Sequence, residues 1–348
     1  MSEIVRFNCL KVSSVALFML FFQTGYSQLN VSELDAIVEE KTLLTKKEVV
    51  LLVATRDTVV YQKDTRAFSA IRGKAPIGYS SQLLTTALIL QLADEGKLSL
   101  DDKIVQYLPI FAKYGKNYIT IRHCLTHNSG IQVDSKVKLF DKVGSSLEAD
   151  VEKLAAREIQ TNPGTEFRYN DKGFLIAARI AEIVTKKKFE NLIQQKLTRP
   201  LGMRQTSFVT LDGSAPNPSH GASSSAADLI IFMRMLLNDG QYKGLQVLSA
   251  EAVAEFRKIH VEAGAMKAPP KGIADFEYAL GAWAQEARNG KASVLTVPSL
   301  GGTIPVVDFC RGYAFVYFLK ELSDDKKAEA YYEIKGSLDA GIQPKCKD

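Results

Sequence analysis

From Thr85 to Leu92 the chain reads Thr-Thr-Ala-Leu-Ile-Leu-Gln-Leu, a run that is apolar nearly all round when wound as a helix. A surface helix would show a polar face, so this one has to lie between layers of other structure. Gly96 supplies a left-handed cap at its end, and Ser99-Leu100-Asp101-Asp102 gives polar starts for the next segment. A chain of 348 residues can hold one large domain or two ordinary ones around such a helix. Just before the run stands Ile77-Gly78-Tyr79-Ser80-Ser81-Gln82-Leu83-Leu84.

Hydrophobic content of 46% and charged content of 24% are those of a soluble globular protein. The net charge is +5 and is spread out, apart from Lys186-Lys187-Lys188 and the Lys345/Lys347 tail. A nucleic-acid partner would need a clustered basic face, and these short runs read as solvated surface charge.

Residues 1–27 read as a signal peptide. Arg6 and Lys11 form its positive region, Val12 to Phe22 its apolar region, and Gly25 and Ser27 the small residues before a cut at Gln28. The apolar run is too short for a comfortable membrane span, and no later run reaches spanning length. The expected mature protein is therefore residues 28–348, exported to a periplasm or the exterior. It keeps Cys124, Cys310 and Cys346. Cys124 and Cys310 read as buried thiols, with a Cys310–Cys346 bridge as the alternative in an oxidising compartment.

Residues 48–55 and 58–61 flank Arg56-Asp57 as a hairpin. Thr120 caps a short helix that runs toward Gly130, and 147–160 and 172–197 are helical by pattern, separated by Asn162-Pro163-Gly164. A further helix starts at Ser223-Ser224-Ser225 and ends near Gly240. Strands are expected around 277–286, 293–297, 304–309 and 312–319, and a closing helix over 324–341. Strands at both ends with helices between predict one sheet assembled from both ends of the chain.

Six pieces occur in order. They are the 77–109 stretch, Ile121-Arg122-His123-Cys124-Leu125-Thr126-His127-Asn128-Ser129-Gly130, Pro163-Gly164-Thr165-Glu166-Phe167-Arg168-Tyr169, Pro200-Leu201-Gly202-Met203, Ser224-Ser225-Ala226-Ala227-Asp228 and Tyr278-Ala279-Leu280-Gly281. In order and spacing they resemble the penicillin-recognising serine hydrolases, meaning class C β-lactamases, DD-peptidases and related esterases. The resemblance spans roughly residues 35–322. It implies an α/β fold of the β-lactamase type: an antiparallel sheet flanked by helices, with a helical subdomain inserted at roughly 101–224 and the active site between them.

Members of that family begin the buried helix with Ser-x-x-Lys. Counting back from Gly96 without a gap puts Tyr79 in the nucleophile's place and Gln82 in the lysine's. The Tyr-x-Asn motif becomes Tyr169-Asn170-Asp171, so Asp171 replaces the asparagine. The Lys-Thr-Gly or His-x-Gly motif becomes Ser299-Leu300-Gly301-Gly302, with Ser299 in the cationic position. Ser81, Gly301 and Gly302 fall along the expected cleft. A Gln82 amide does not protonate near neutral pH, and a tyrosine hydroxyl with a pKa of about 10 stays protonated without a strong partner. An unpaired Asp171 in a cleft is expected to face water or to have a raised pKa. Neither Ser80 nor Ser81 has a Lys, His or carboxylate three or four residues on. His123 and His127 have the i, i+4 spacing of a zinc pair but lack the intervening Glu of His-Glu-x-x-His. No cofactor and no metal are expected.

The residues point to an exported member of this family without catalysis, binding a ligand (a small molecule or cell-wall peptide) or a partner in the old cleft, or serving as a scaffold. The alternative is a hydrolase of esters, amides or cell-wall peptides with unorthodox residues, Asp171 activating Tyr79. The sequence leaves the oligomeric state open.

Overall fold

Val49-Val50-Leu51-Leu52-Val53-Ala54 has no polar side chain to turn toward water, so a strand built from it needs cover on both faces. It has that cover in the computed structural model, which describes residues 29–45, 48–65, 71–132, 144, 146–210, 212–267, 269–270, 273–298, 303–319 and 327–346. The 1–27 leader and Ser299, Gly301 and Gly302 lie outside the described residues.

β1 (Val49–Thr55) pairs antiparallel with β2 (Val59–Asp64) on one side and β11 (Tyr313–Leu319) on the other, Val49 opposite Leu319 and Thr55 opposite Tyr313. The other strands are β3 (Ala75–Pro76), β4 (Ser223–Ser224), β5 (Gln241–Tyr242), β6 (Leu245–Gln246), β7 (Glu277–Tyr278), β8 (Trp283–Arg288), β9 (Lys291–Thr296) and β10 (Ile304–Asp308). The main sheet runs β2-β1-β11-β10-β9-β8-β7 and is antiparallel throughout, so both ends of the chain build it, as expected.

One face of the sheet is covered by α1 (Val31–Thr45) and α11 (Lys327–Gly341). There Leu34, Val38, Ile334 and Leu338 share a core with Val49, Leu51, Val53, Phe315 and Tyr317. The alternate strand residues Val50, Leu52, Ala314, Val316 and Phe318 join the other core. That core holds α2 (Ser81–Asp94), α3 (Ile110–Lys113), α4 (Ile121–Leu125), α5 (Leu147–Ala155), α6 (Lys172–Thr185), α7 (Phe189–Ile193), α8 (Arg199–Leu201), α9 (Ala226–Leu237) and α10 (Ala250–Arg257). β3 pairs with β4, so the chain enters and leaves the helical region side by side.

Every residue of α2 from Ser81 to Leu92 is buried, as its all-round apolarity requires. The helix ends in a Schellman motif: Gly96 at φ +66° donates to the Ala93 carbonyl, and Lys97 to that of Leu92.

Several expected elements are shorter. Thr120 does cap α4, accepting the His123 N–H at 3.1 Å, but the helix stops at Leu125 and His127, at φ +57°, turns the chain away. The 147–160 stretch stops at Ala155, and Ile159 instead bridges to Ile131. The 172–197 run breaks at left-handed Lys186 and resumes at Phe189. The 277–286 strand is split at Gly281, where the chain turns at φ +70° with its Cα against α2: a Cβ there would lie 2.0 Å from Thr86 Oγ1. Cys310 is not a thiol; it is bonded to Cys346 and ties the C-terminal segment to the β10–β11 turn, where Lys345 N–H also donates to the Cys310 carbonyl at 2.8 Å. Cys124 remains a buried free thiol, its pKa pushed up by burial.

Chemical denaturation should register both the Gly281 contact and the bridge. Gly281→Ala adds left-handed strain and an overlap with Thr86, and should cost about 2–4 kcal/mol. Gly290→Ala, at the same φ of +70° but with open space around the new Cβ, should cost about 1 kcal/mol. Replacing Cys310 and Cys346 by Ser together should lower stability by roughly 2–4 kcal/mol.

Candidate functional site at the start of the buried helix

A 3-10 turn over Gly78–Ser80 feeds directly into α2. Tyr79 and Gln82 are three residues apart and so share a side of this first turn. The Tyr79 ring is only 9% exposed; its centroid lies 5.3 Å from that of Tyr169 and 5.7 Å from that of His220. Burial, and next the Asp171 charge, push its hydroxyl pKa up to about 12.

Gln82 is fully buried. Its Nε2 donates to Ser219 Oγ at 2.9 Å, and its Oε1 accepts from Tyr278 OH at 3.3 Å and Tyr169 OH at 3.4 Å. The chain of bonds continues to His127, whose Nε2 lies 2.8 Å from Tyr278 Oη. Asn170 N–H donates to His127 Nδ1 at 3.4 Å, which places the ring proton on Nε2, facing the tyrosine. Burial lowers the His127 pKa to about 3 and keeps the ring neutral. Phe167, Tyr169, Tyr278 and Trp283 complete an aromatic wall around it.

Asp171 stands at the start of α6. Against the expectation of an unpaired acid, its carboxylate lies 3.1 Å from Lys172 Nζ and 3.7 Å from His220 Nε2. Burial acts to raise its pKa, but the His220 and Lys172 interactions outweigh it and hold the carboxyl at about 2.

The two serines serve the backbone or the interior. Ser81 Oγ donates to the Gly78 carbonyl at 2.6 Å and accepts the Ala222 N–H at 3.0 Å, stitching the helix start to the 217–222 loop. Ser80 Oγ is buried and has no hydrogen bond among the described residues. In that loop Asn217 Oδ1 accepts the N–H groups of Ser219 and His220 at 2.9 and 3.1 Å, a turn that aims Ser219 at Gln82 and His220 at Tyr79. The zinc-pair spacing does not produce a shared face. His123 Nδ1 accepts the Thr120 N–H at 3.3 Å to complete a capping box, whereas His127 lies beyond the helix end on Tyr278.

The structure thus brings Tyr79, Gln82, Tyr169, Asp171 and Ser81 together. Sequence reasoning missed His220 and Ser219, read Tyr278 only as part of a matching stretch, and weighed His127 as half of a zinc pair rather than as a partner of Tyr278. Asn217-Pro218-Ser219-His220-Gly221 is turn-forming in composition, and the one signal available was a histidine in a chain with four.

His127 gives a pH test. Its folded pKa of about 3 lies below the unfolded value of 6.5, so its stabilising effect is complete above pH 6.5 and is lost as pH falls toward 3. The loss runs at about 1.4 kcal/mol per pH unit. His127→Asn, which tolerates the left-handed backbone, should be less stable at pH 7 yet show a shallower decline between pH 6.5 and 4 in denaturation titrations.

Residues 49–336 match the family described as Beta-lactamase. A protein of Escherichia coli (strain K12) named as a candidate D-alanyl-D-alanine carboxypeptidase is 23% identical over 303 residues, covering 67% of this chain and 70% of that one. Penicillin-binding protein 4 of Amycolatopsis lactamdurans is 28% identical over 212 residues, covering 52% of this chain and 55% of its own length. The crystal structure of a candidate β-lactamase from Bacteroides dorei superposes with a TM-score of 0.78 at 23% identity, covering 89% of this chain and 99% of that one, which shows the shared fold. With the match running from the first strand of the sheet into its last helix, the chain belongs to the β-lactamase family.

Proposed function

We propose that the chain is an exported, non-hydrolytic member of this family that acts by binding a ligand or partner at the old cleft. The carrying observation is Gln82: where the family places a lysine, this chain holds a neutral amide whose oxygen and nitrogen are taken up by Tyr169, Tyr278 and Ser219. An attacking hydroxyl needs a neighbour that accepts its proton, and Gln82 is not one.

Asp171 does not replace it. Moving a proton from a hydroxyl of pKa about 12 to a carboxyl of pKa about 2 is uphill by something on the order of 10 kcal/mol before any bond forms. Asp171 also raises the Tyr79 pKa rather than lowering it. The Tyr79 ring, packed between Tyr169 and His220, takes up space that a substrate carbonyl would need. The names of the relatives favour a cell-wall peptide or a related small molecule as the ligand class. Export is supported by the Cys310–Cys346 bridge, which suits an oxidising compartment. Among the described residues no helix is long and apolar enough to cross a membrane.

The purified mature protein, incubated with a fluorescent penicillin and with a fluorophosphonate probe, should show no added mass. It should not hydrolyse a chromogenic cephalosporin or short acyl esters above buffer. Tyr79→Ser with Gln82→Lys should recover a trace of esterase activity, and either change alone none. Robust turnover by the wild type that Tyr79→Phe abolishes would overturn the reading. Loss with His220→Gln as well would then assign that imidazole as the base, with Asp171 orienting it. N-terminal sequencing of secreted protein should begin near Gln28; an intact Met1 would refute export by cleavage.

A further inference from the structure

Between the turn that follows α3 and the segment that leaves α5 lies a cavity of about 570 Å³, lined in part by Tyr114, Lys116, Tyr118, Arg157, Glu158 and Ile159. It shares no residue with the Tyr79 site, and its size falls within the range of small-molecule pockets.

Lys116 is only 4% exposed. Its ammonium donates to the Ala155 carbonyl at 2.8 Å and reaches the Tyr114 carbonyl at 3.5 Å. Ala155 is the last residue of α5, so part of the role of Lys116 is to satisfy a helix C-terminus. The helix end and the Tyr114 ring beneath the ammonium offset its charge only in part. Two carbonyls occupy two of its three donors, and no carboxylate pairs with it among the described residues. Desolvation with no acid nearby lowers its pKa. A covered cation of this kind is costly unless an anion joins it.

The rim of the cavity is aromatic. Tyr118 is 71% exposed, Tyr114 42% and Ile159 39%. Exposed tyrosine rings at a cavity mouth offer flat faces to another ring. The Lys116 ammonium already lies over the Tyr114 ring, 5.3 Å from its centroid, so a carboxylate held at Lys116 would sit beside that ring. Arg157 adds a second cation, and the exposed Glu158 leaves the described charged lining net positive.

We propose that this cavity binds a small ring-bearing carboxylate, its carboxylate at Lys116 and its ring against Tyr114 and Tyr118. The proposal goes beyond the cleft reading and does not depend on it. An aromatic acid and an acidic sugar share this chemistry, and sodium benzoate and sodium glucuronate distinguish them.

In calorimetric titrations of the mature protein at low salt, one of the two should bind with a Kd of about 1 mM or tighter. Lys116→Met, which keeps the buried stem, should weaken that binding at least about tenfold. Tyr118→Ala, a change at an exposed position, should weaken it several-fold without altering the melting temperature. Benzyl alcohol or methyl glucoside, lacking the charge, should not compete. If neither acid binds at about 20 mM, if the neutral analogue binds as tightly, or if Lys116→Met leaves affinity unchanged, the proposal fails. Should Lys116→Met not fold because α5 loses its cap, the neutral analogues and Tyr118→Ala still decide.

Discussion

A helix with no polar side is stable only where protein encloses it, and α2 imposes that demand on the rest of the chain. The inner face of the sheet supplies one wall of its core, and α6, α7 and α10 pack around it. The two-residue β3–β4 pairing closes the helical region at its base, so about 150 residues can leave the sheet and return beside their starting point. The start of the enclosed helix is where segments from both parts meet. Tyr278 comes from the sheet, Tyr169 and Asp171 from the approach to α6, and Ser219 and His220 from the loop before β4. The site is a consequence of enclosing α2.

At such a position a charge and a neutral amide make very different demands. A buried ammonium needs an acid beside it, because an uncompensated charge there costs several kcal/mol. Gln82 needs only hydrogen bonds, and leaving its amide unpaired would cost about 1–3 kcal/mol. Its partners are all neutral: two tyrosine hydroxyls, a serine, and beyond them a histidine that burial keeps unprotonated. Asp171, the acid nearest this network, is already engaged with Lys172 and His220. The interior half of the site is thus a neutral network, and its charges are gathered around Asp171 at the other side of Tyr79.

Much of this was legible in the sequence because it depends on local pattern. Apolar runs gave β1, β10 and β11, the all-round apolarity of Thr85–Leu92 gave a buried helix, and Gly96 gave its end. The ungapped count from Gly96 put Tyr79 and Gln82 on one turn, and the Tyr169-Asn170-Asp171 motif led to the same place. The contacts that escaped join residues far apart in sequence. Gln82 meets Ser219 across 137 residues and Tyr278 across 196, and no local signal announces either. The partners of Asp171 escaped for the same reason, since His220 sits in a loop with no matching motif. Cys310 looked like a thiol because a strand end says nothing about where the C-terminal segment will lie. The early end of α4 came from a single left-handed residue, His127, which helix propensity gives no reason to expect.

The features that oppose chemistry at this cleft also stabilise the fold. The Tyr79 ring is packed against Tyr169 and His220, contacts worth about 0.5–1.5 kcal/mol each where aromatic pairs are concerned. A serine at that position would leave a ring-sized void, and a lysine at position 82 would displace an amide that now satisfies three neighbours. Catalytic clefts ordinarily run the other way, holding water and unpaired charge at some cost in stability. Under the non-hydrolytic reading, a ring at position 79 and a neutral amide at position 82 are each favourable for stability. The two changes also reinforce each other. A charge at the fully buried position 82 would be sealed from solvent, whereas a neutral amide there is not penalised, and Tyr169 touches both Tyr79 and Gln82, so the two positions are expected to couple.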